Sequence, residues 1–131
     1  MILLDTHSLI WWVNHHAELS VTALARIEAE RPDGEILISA ISAWEVAALA
    51  KRRRLGLRME PAAWLARIGD IPEVRFVPVD HLIAAQSVAL PEPFPAGPIE
   101  QMLAATARRF GCALVTPSKK MLEYPHIKTI W

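Results

Sequence analysis

The chain opens on a short apolar block, Ile2 to Leu4, that runs into Asp5. A polar turn through Thr6 and Ser8 follows before apolar residues resume at Leu9. A run of this length ending in turn chemistry predicts a buried strand passing into a helix. Residues 8–14 (SLIWWVN) predict that short helix. Ser20 opens a second one, with Val21, Leu24, Ala25 and Ile27 at helical spacing, and the turn residues Arg31-Pro32-Asp33-Gly34 end it. Residues 35–40 (EILISA) predict a second buried strand. A helix of about a dozen residues then starts at Ser42 and runs to the basic stretch Lys51 to Arg54, which suits a helix C-terminus, with Gly56 as its stop.

The same pattern repeats through the second half. Pro61 starts a helix that breaks at Gly69. Residues 74–79 (VRFVPV) predict a third strand with Pro78 at its end or on an edge. Asp80 caps a helix through Val88, and the proline-rich stretch Leu90 to Pro98 predicts a loop. From Pro98, the residues Ile99, Met102, Leu103, Thr106 and Phe110 form one apolar stripe of a longer helix that Gly111 terminates. Residues 112–116 (CALVT) predict a fourth strand and 127–131 (IKTIW) a short fifth. Short strands apolar on both faces, alternating with helices, predict a mostly parallel sheet of four to five strands covered by helices: a three-layer α/β/α architecture.

Composition narrows the picture. At 131 residues, 53% of them hydrophobic and five of them Trp, the chain predicts a single domain, residues 1–131, with a substantial core. Fourteen acidic residues balance fourteen basic ones, so no global field draws the protein to nucleic acid or to an anionic membrane. The single cysteine, Cys112, reads as an inert core thiol and fits a reducing cytoplasm. No basic leader precedes a long apolar run, so no signal peptide is expected. No apolar run has the roughly 18–20 residues of a membrane span.

Candidate chemistry lies in three carboxylates. Asp5 ends the first strand, Glu45 lies one turn into the helix after the second strand, and Glu100 lies in the first turn of the helix before the fourth. A parallel sheet brings these ends to one edge, where ligands bind in open α/β folds. Three converging carboxylates repel one another unless a divalent cation neutralises them, and a hard cation such as Mg²⁺ takes such oxygen ligands. Each acid also has a purely structural reading. Asp5 fits a helix cap. Glu45, three residues after Ser42, has capping-box spacing. Glu100 complements the helix dipole after Pro98.

The segments ILLDTHSLIWW (2–12) and ISAISAWEVAALAKRRRLGL (38–57), with LVT at 114–116, resemble a PIN domain of the VapC toxin type, and the resemblance spans the whole chain. It implies a Mg²⁺- or Mn²⁺-dependent endoribonuclease that forms a homodimer and is covered by a cognate antitoxin. Asp5 and Glu45 match the first two family acids, and Glu100, within GPIEQ (97–101), takes the place of the third. Gly97 stands where a second aspartate is common, Gln101 where an arginine is common, and Pro117-Ser118 where the fourth acid follows LVT. Loss of that carboxylate weakens the hold on a second metal, while one Mg²⁺ on Asp5, Glu45 and Glu100, with Thr6, Thr116 or Ser118 bonding its waters, remains feasible. The rival expectation is a degraded PIN scaffold that binds a protein or RNA without cutting it.

Other residues are weighed against plainer roles. Arg52 and Arg53 are the leading RNA-binding candidates, Arg52 lying seven residues from Glu45 on nearly the same helix face. Arg108-Arg109 and Lys119-Lys120 read as surface charge, and His15-His16 as loop histidines without a third ligand. His7 is placed to line the site. Trp44 is expected in the core, and one of Trp11 and Trp12 at an interface with a second subunit or an antitoxin.

Overall fold

A computed structural model describes residues 1–131. Five strands form one sheet: β1 (Ile2–Leu4), β2 (Ile36–Ser39), β3 (Val74–Val77), β4 (Ala113–Val115) and β5 (Thr129–Ile130), in the order β3-β2-β1-β4-β5. Every pairing is parallel, and in register Leu4 lies beside Ile38 on one side and Val115 on the other. The first strand of the chain is therefore the middle strand of the sheet.

Seven helices surround it: α1 (Thr6–Val13), α2 (Val21–Glu30), α3 (Ala40–Lys51), α4 (Pro61–Gly69), α5 (His81–Val88), α6 (Pro98–Phe110) and α7 (Lys119–Glu123). Alternation along the strands sends side chains to opposite faces. Ile2, Leu4, Ile36, Ile38 and Val115 join one core with Leu9, Trp12, Ile27, Val46, Trp64 and Ile68 from α1 to α4. Leu3, Leu37, Val77 and Leu114 join the other, with Leu103, Ala104 and Ala107 of α6 and Met121 of α7. These two cores are the interfaces of a three-layer α/β/α fold, as the sequence predicts, with the sheet wholly rather than mostly parallel. No helix is long and apolar enough to cross a membrane.

Several boundaries differ from expectation. The helix after β2 starts at Ala40, capped by Ser39, whose hydroxyl accepts from the Ile41 amide at 3.1 Å. Ser42 lies inside it and is fully buried, so Ser42 and Glu45 form no capping box. The reason is β2's length: Ser39, still in the strand's last register position beside Val77, takes the cap. The same helix ends at Lys51, five residues before Gly56. Arg53 takes the left-handed conformation there (φ 57°), and the Arg54 amide reaches back to the Leu49 carbonyl at 2.9 Å. The helix α7, started by Ser118, lay unmarked between the fourth and fifth strands.

Candidate metal-dependent active site

The carboxyl ends of β1, β2 and β4 converge on a cleft of about 170 Å³. Asp5, Thr6, His7, Glu45, Glu100, Thr116 and Ser118 line it, with Leu103, Leu114 and Met121 at its apolar side. Asp5 follows β1 directly and caps α1: its backbone is extended (φ −75°, ψ 175°), and Oδ1 accepts from the Ser8 amide at 2.8 Å. The Asp5 amide donates to the Val115 carbonyl at 3.0 Å, and the Ser8 hydroxyl donates to the same carbonyl at 3.0 Å. The turn that presents Asp5 is thus stitched to β4, and the opposition between cap and functional residue dissolves. One oxygen makes the cap while the carboxyl group as a whole lines the cleft.

Burial raises the Asp5 pKa above the usual carboxylate range. Hydrogen bonds from Thr116 and Ser8 and the charge of His7 partly offset that rise. Repulsion by Glu45 or Glu100 is not among the causes. No three His, Cys, Asp or Glu side chains already stand in ligand positions around one point. Desolvation, rather than repulsion from the other two carboxylates, is the largest influence on the central one.

Glu45 comes from the second turn of α3, and both it and Glu100 are half-buried. Glu100 is the third residue of α6, after Gly97 as cap and Pro98 as first residue. Its Oε2 lies 3.4 Å from the position a Cβ would occupy on Gly97, so the side chain leans back over the start of its own helix.

The hydroxyl residues hold the frame. Thr6 Oγ1 donates to Ser42 Oγ at 3.0 Å, both side chains buried, which joins the start of α1 to the start of α3 and so ties Asp5 to Glu45. Thr116 Oγ1 accepts from the Ser118 amide at 3.1 Å while its own proton serves Asp5. Ser118 caps α7, its hydroxyl accepting from the Met121 amide at 3.4 Å. Ser8 and Ser42 were not among the expected site residues. Their signal was present, in the serine two positions past Thr6 and the serine three before Glu45, but each read as an ordinary helix-start residue.

The remaining candidates lie elsewhere. Arg52 caps the C-terminus of α3 and Arg53 follows it, both exposed and outside the cleft. Seven residues of helix place Arg52 roughly 10 Å along the axis from Glu45. His7 lines the cleft and packs on Trp11, ring centroids 5.6 Å apart. Trp12 is buried, its Nε1 donating to Glu28 at 3.3 Å, and half-buried Trp11 packs on Trp131 and His16. Trp44 overturns the expectation of a core residue, since its side chain is 56% exposed. Helix α3 turns Ser42 and Val46 inward, and Trp44 stands between them on the helix's other side. Cys112 is buried, and burial raises its thiol pKa, as expected of an inert core thiol.

Apart from His7, the polar side chains lining the cleft are carboxylates and hydroxyls, the oxygen donors that hard divalent cations select. Asp5, whose carboxyl is desolvated by the protein around it, gains from the neutralising charge of a cation nearby.

Comparison with known proteins agrees with this architecture. Residues 2–126 match the PIN domain family. The chain is 34% identical over 132 residues to Ribonuclease VapC22 of Mycobacterium tuberculosis, covering 99% of this chain and 98% of that protein. Its fold is similar to that of VapBC2 from Rickettsia felis bound to a promoter DNA fragment, with a TM-score of 0.71, 15% identity, and coverage of 98% and 97%. It is also similar to Mycobacterium tuberculosis VapC20, a sarcin-ricin loop cleaving toxin, with a TM-score of 0.67, 19% identity, and coverage of 98% and 99%. The chain therefore belongs to the PIN domain family, among its VapC-type members.

Proposed function

We propose that this chain is a divalent-metal-dependent endoribonuclease, the toxin of a toxin–antitoxin pair, hydrolysing RNA phosphodiester bonds. The observation that carries the reading is that Asp5, Glu45 and Glu100 line one cleft at the carboxyl edge of the sheet. The near full-length relationship to a protein named as a ribonuclease supports it. Asp5, Glu45 and Glu100 hold Mg²⁺ or Mn²⁺, which when bound supplies charge neutralisation for the scissile phosphate and a water of lowered pKa. Asp5 is the fixed member, oriented by the Ser8 amide and the Thr116 hydroxyl. Glu45 and Glu100 are the longer, half-exposed arms. Thr6 acts at one remove, through Ser42, by holding α1 and α3 together. Arg52 and Arg53 contact RNA phosphates beyond the cleft, and the protein works in the cytoplasm as a homodimer that an antitoxin covers.

Two measurements test this. Titration calorimetry with Mn²⁺ is expected to show binding by the wild type and none by Asp5→Ala; equal heats from both proteins refute the metal site. On an RNA panel with Mg²⁺ or Mn²⁺, the wild type cleaves and Asp5→Asn does not. Cleavage shared equally by both indicates a contaminant.

A second reading, a PIN scaffold that binds without cutting, is favoured by two observations. Where a fourth acid is common, Ser118 stands as a helix cap, and no preformed ligand cluster exists. RNA or antitoxin binding by the wild type without cleavage in either metal establishes that reading instead.

A further inference from the structure

We propose that Trp44 is a base-stacking residue, whose free indole face takes a nucleobase of single-stranded RNA next to the phosphodiester held in the cleft. This rests on the ribonuclease reading above and adds to it the residue that grips the substrate outside the carboxylates.

The indole is out of place by the ordinary rules of burial. Tryptophans bring a large apolar area and are normally covered. The other four here are: Trp12 and Trp64 are buried, and Trp11 and Trp131 are half-buried against one another at 5.9 Å. Trp44 keeps 56% of its surface exposed and stacks on no ring or guanidinium of the chain. Its neighbours one turn away are Ala40, Ala47 and Ala48, small side chains that cover little of the ring, with Ile41 the one large one.

Its position is tied to the cleft. Trp44 directly precedes Glu45, so their Cα atoms are about 3.8 Å apart and their side chains diverge by about 100° around α3. Glu45 lines the cleft and Trp44, its immediate neighbour on the helix, lies outside that lining. Two residues back, Ser42 is bonded to Thr6, so this turn of α3 is fixed relative to Asp5. A rigid aromatic beside a phosphodiester site suits a nucleotide whose phosphate enters the cleft while its base lies outside.

Charge supplies an independent argument. The chain carries as many acids as bases, so a polyanion gains little from its overall field. Affinity for RNA then requires a contribution that does not depend on net charge. Stacking on an exposed aromatic is such a contribution, and it is tolerant of base identity.

The test uses the full chain in an Asp5→Asn background, so that RNA is bound without being cut. Affinity for a short single-stranded oligoribonucleotide is measured by fluorescence anisotropy in Mg²⁺, with Trp44 intact, Trp44→Phe and Trp44→Ala. The expected result is a loss of roughly 5- to 150-fold for alanine and a much smaller loss for phenylalanine. A single abasic nucleotide moved along the oligonucleotide is expected to weaken binding at one or two positions when Trp44 is present. In Trp44→Ala that positional penalty vanishes, a signature that a merely structural role for the indole does not produce. Equal affinity of the intact and alanine proteins overturns the stacking role alone. Equal affinity together with a shift from dimer to monomer in light scattering reassigns the indole to a protein interface. No RNA binding with Trp44 intact overturns the stacking role, whereas the ribonuclease reading stands or falls on cleavage by the wild-type protein in Mg²⁺ or Mn²⁺.

Discussion

Asp5 serves two ends that pull against each other. As the cap of α1 it is stabilising; as a carboxyl group enclosed by protein it pays a desolvation cost that lifts its pKa. Between the unfolded and folded pKa values the native chain holds the proton more often than the unfolded one. Stability contributed by this group is therefore full below the unfolded value near 3.9 and falls as pH rises through the raised folded value. Asparagine keeps the cap and removes the charge. Without metal at pH 7, Asp5→Asn is expected to melt at a higher temperature than the wild type, and the gap should close as the pH is lowered towards about 4. In Mn²⁺ the order reverses, because only the wild type gains from the bound ion. Thermal scans at two pH values, with and without metal, read all three outcomes. Ser118 offers the converse change. Aspartate is as good a cap as serine, so Ser118→Asp keeps α7 and adds a carboxylate to the cleft. Mn²⁺ affinity is expected to rise on the order of tenfold by calorimetry.

At the scale of elements, three helices end in the same way. After α1, α3 and α6 the chain turns left-handed at His15, Arg53 and Gly111, and the next amide reaches back to the carbonyls of Trp11, Leu49 and Ala107. Only the third uses glycine, which tolerates that conformation without strain. Arg53→Gly is therefore expected to stabilise the protein by about 1 kcal/mol, measured by denaturant unfolding. This pairing explains what the sequence concealed. Gly111 and the Asp80 cap were legible because residue type and role coincide there. Arg53 was not, since a basic residue reads as charge for the helix dipole rather than as a turn. Gly56 drew the helix end towards itself for the same reason. The start of α3 was misplaced because two serines, Ser39 and Ser42, both fit a cap, and only the pairing of β2 with β3 chooses between them. The three acids were legible through topology alone, since parallel strands carry their successors to one edge. Their spacing within the cleft was not, because it depends on how side chains lie. Trp44 was hidden by a helix that is apolar nearly all round yet covered on only one side.

At the scale of the molecule, balanced charge governs how RNA can be held. Arg52 and Arg53 form the basic end of a helix whose second turn carries Glu45, so the cleft and the basic end are linked along one rigid axis. If both contact phosphates, charge reversal at each should lower the salt dependence of RNA affinity by about one unit of log–log slope per residue. Binding isotherms across a salt series measure it. The two cores give the frame that makes such distances fixed, since the sheet is clamped by helices on both faces.

The central place of β1 has a consequence for timing. Asp5 is made long before its anchors: the carbonyl that holds its amide and Ser8 belongs to Val115, and the hydroxyl beside it to Thr116. The same late segment fills the register on one side of β1. A growing chain can therefore present the first acid but cannot enclose it until synthesis has passed residue 116. Contacts this distant in sequence form only after the intervening chain has been gathered in. Assembly of the cleft is thus postponed until β4 has been made, and a product terminated before it carries Asp5 as an ordinary solvated aspartate at the end of an unsupported strand.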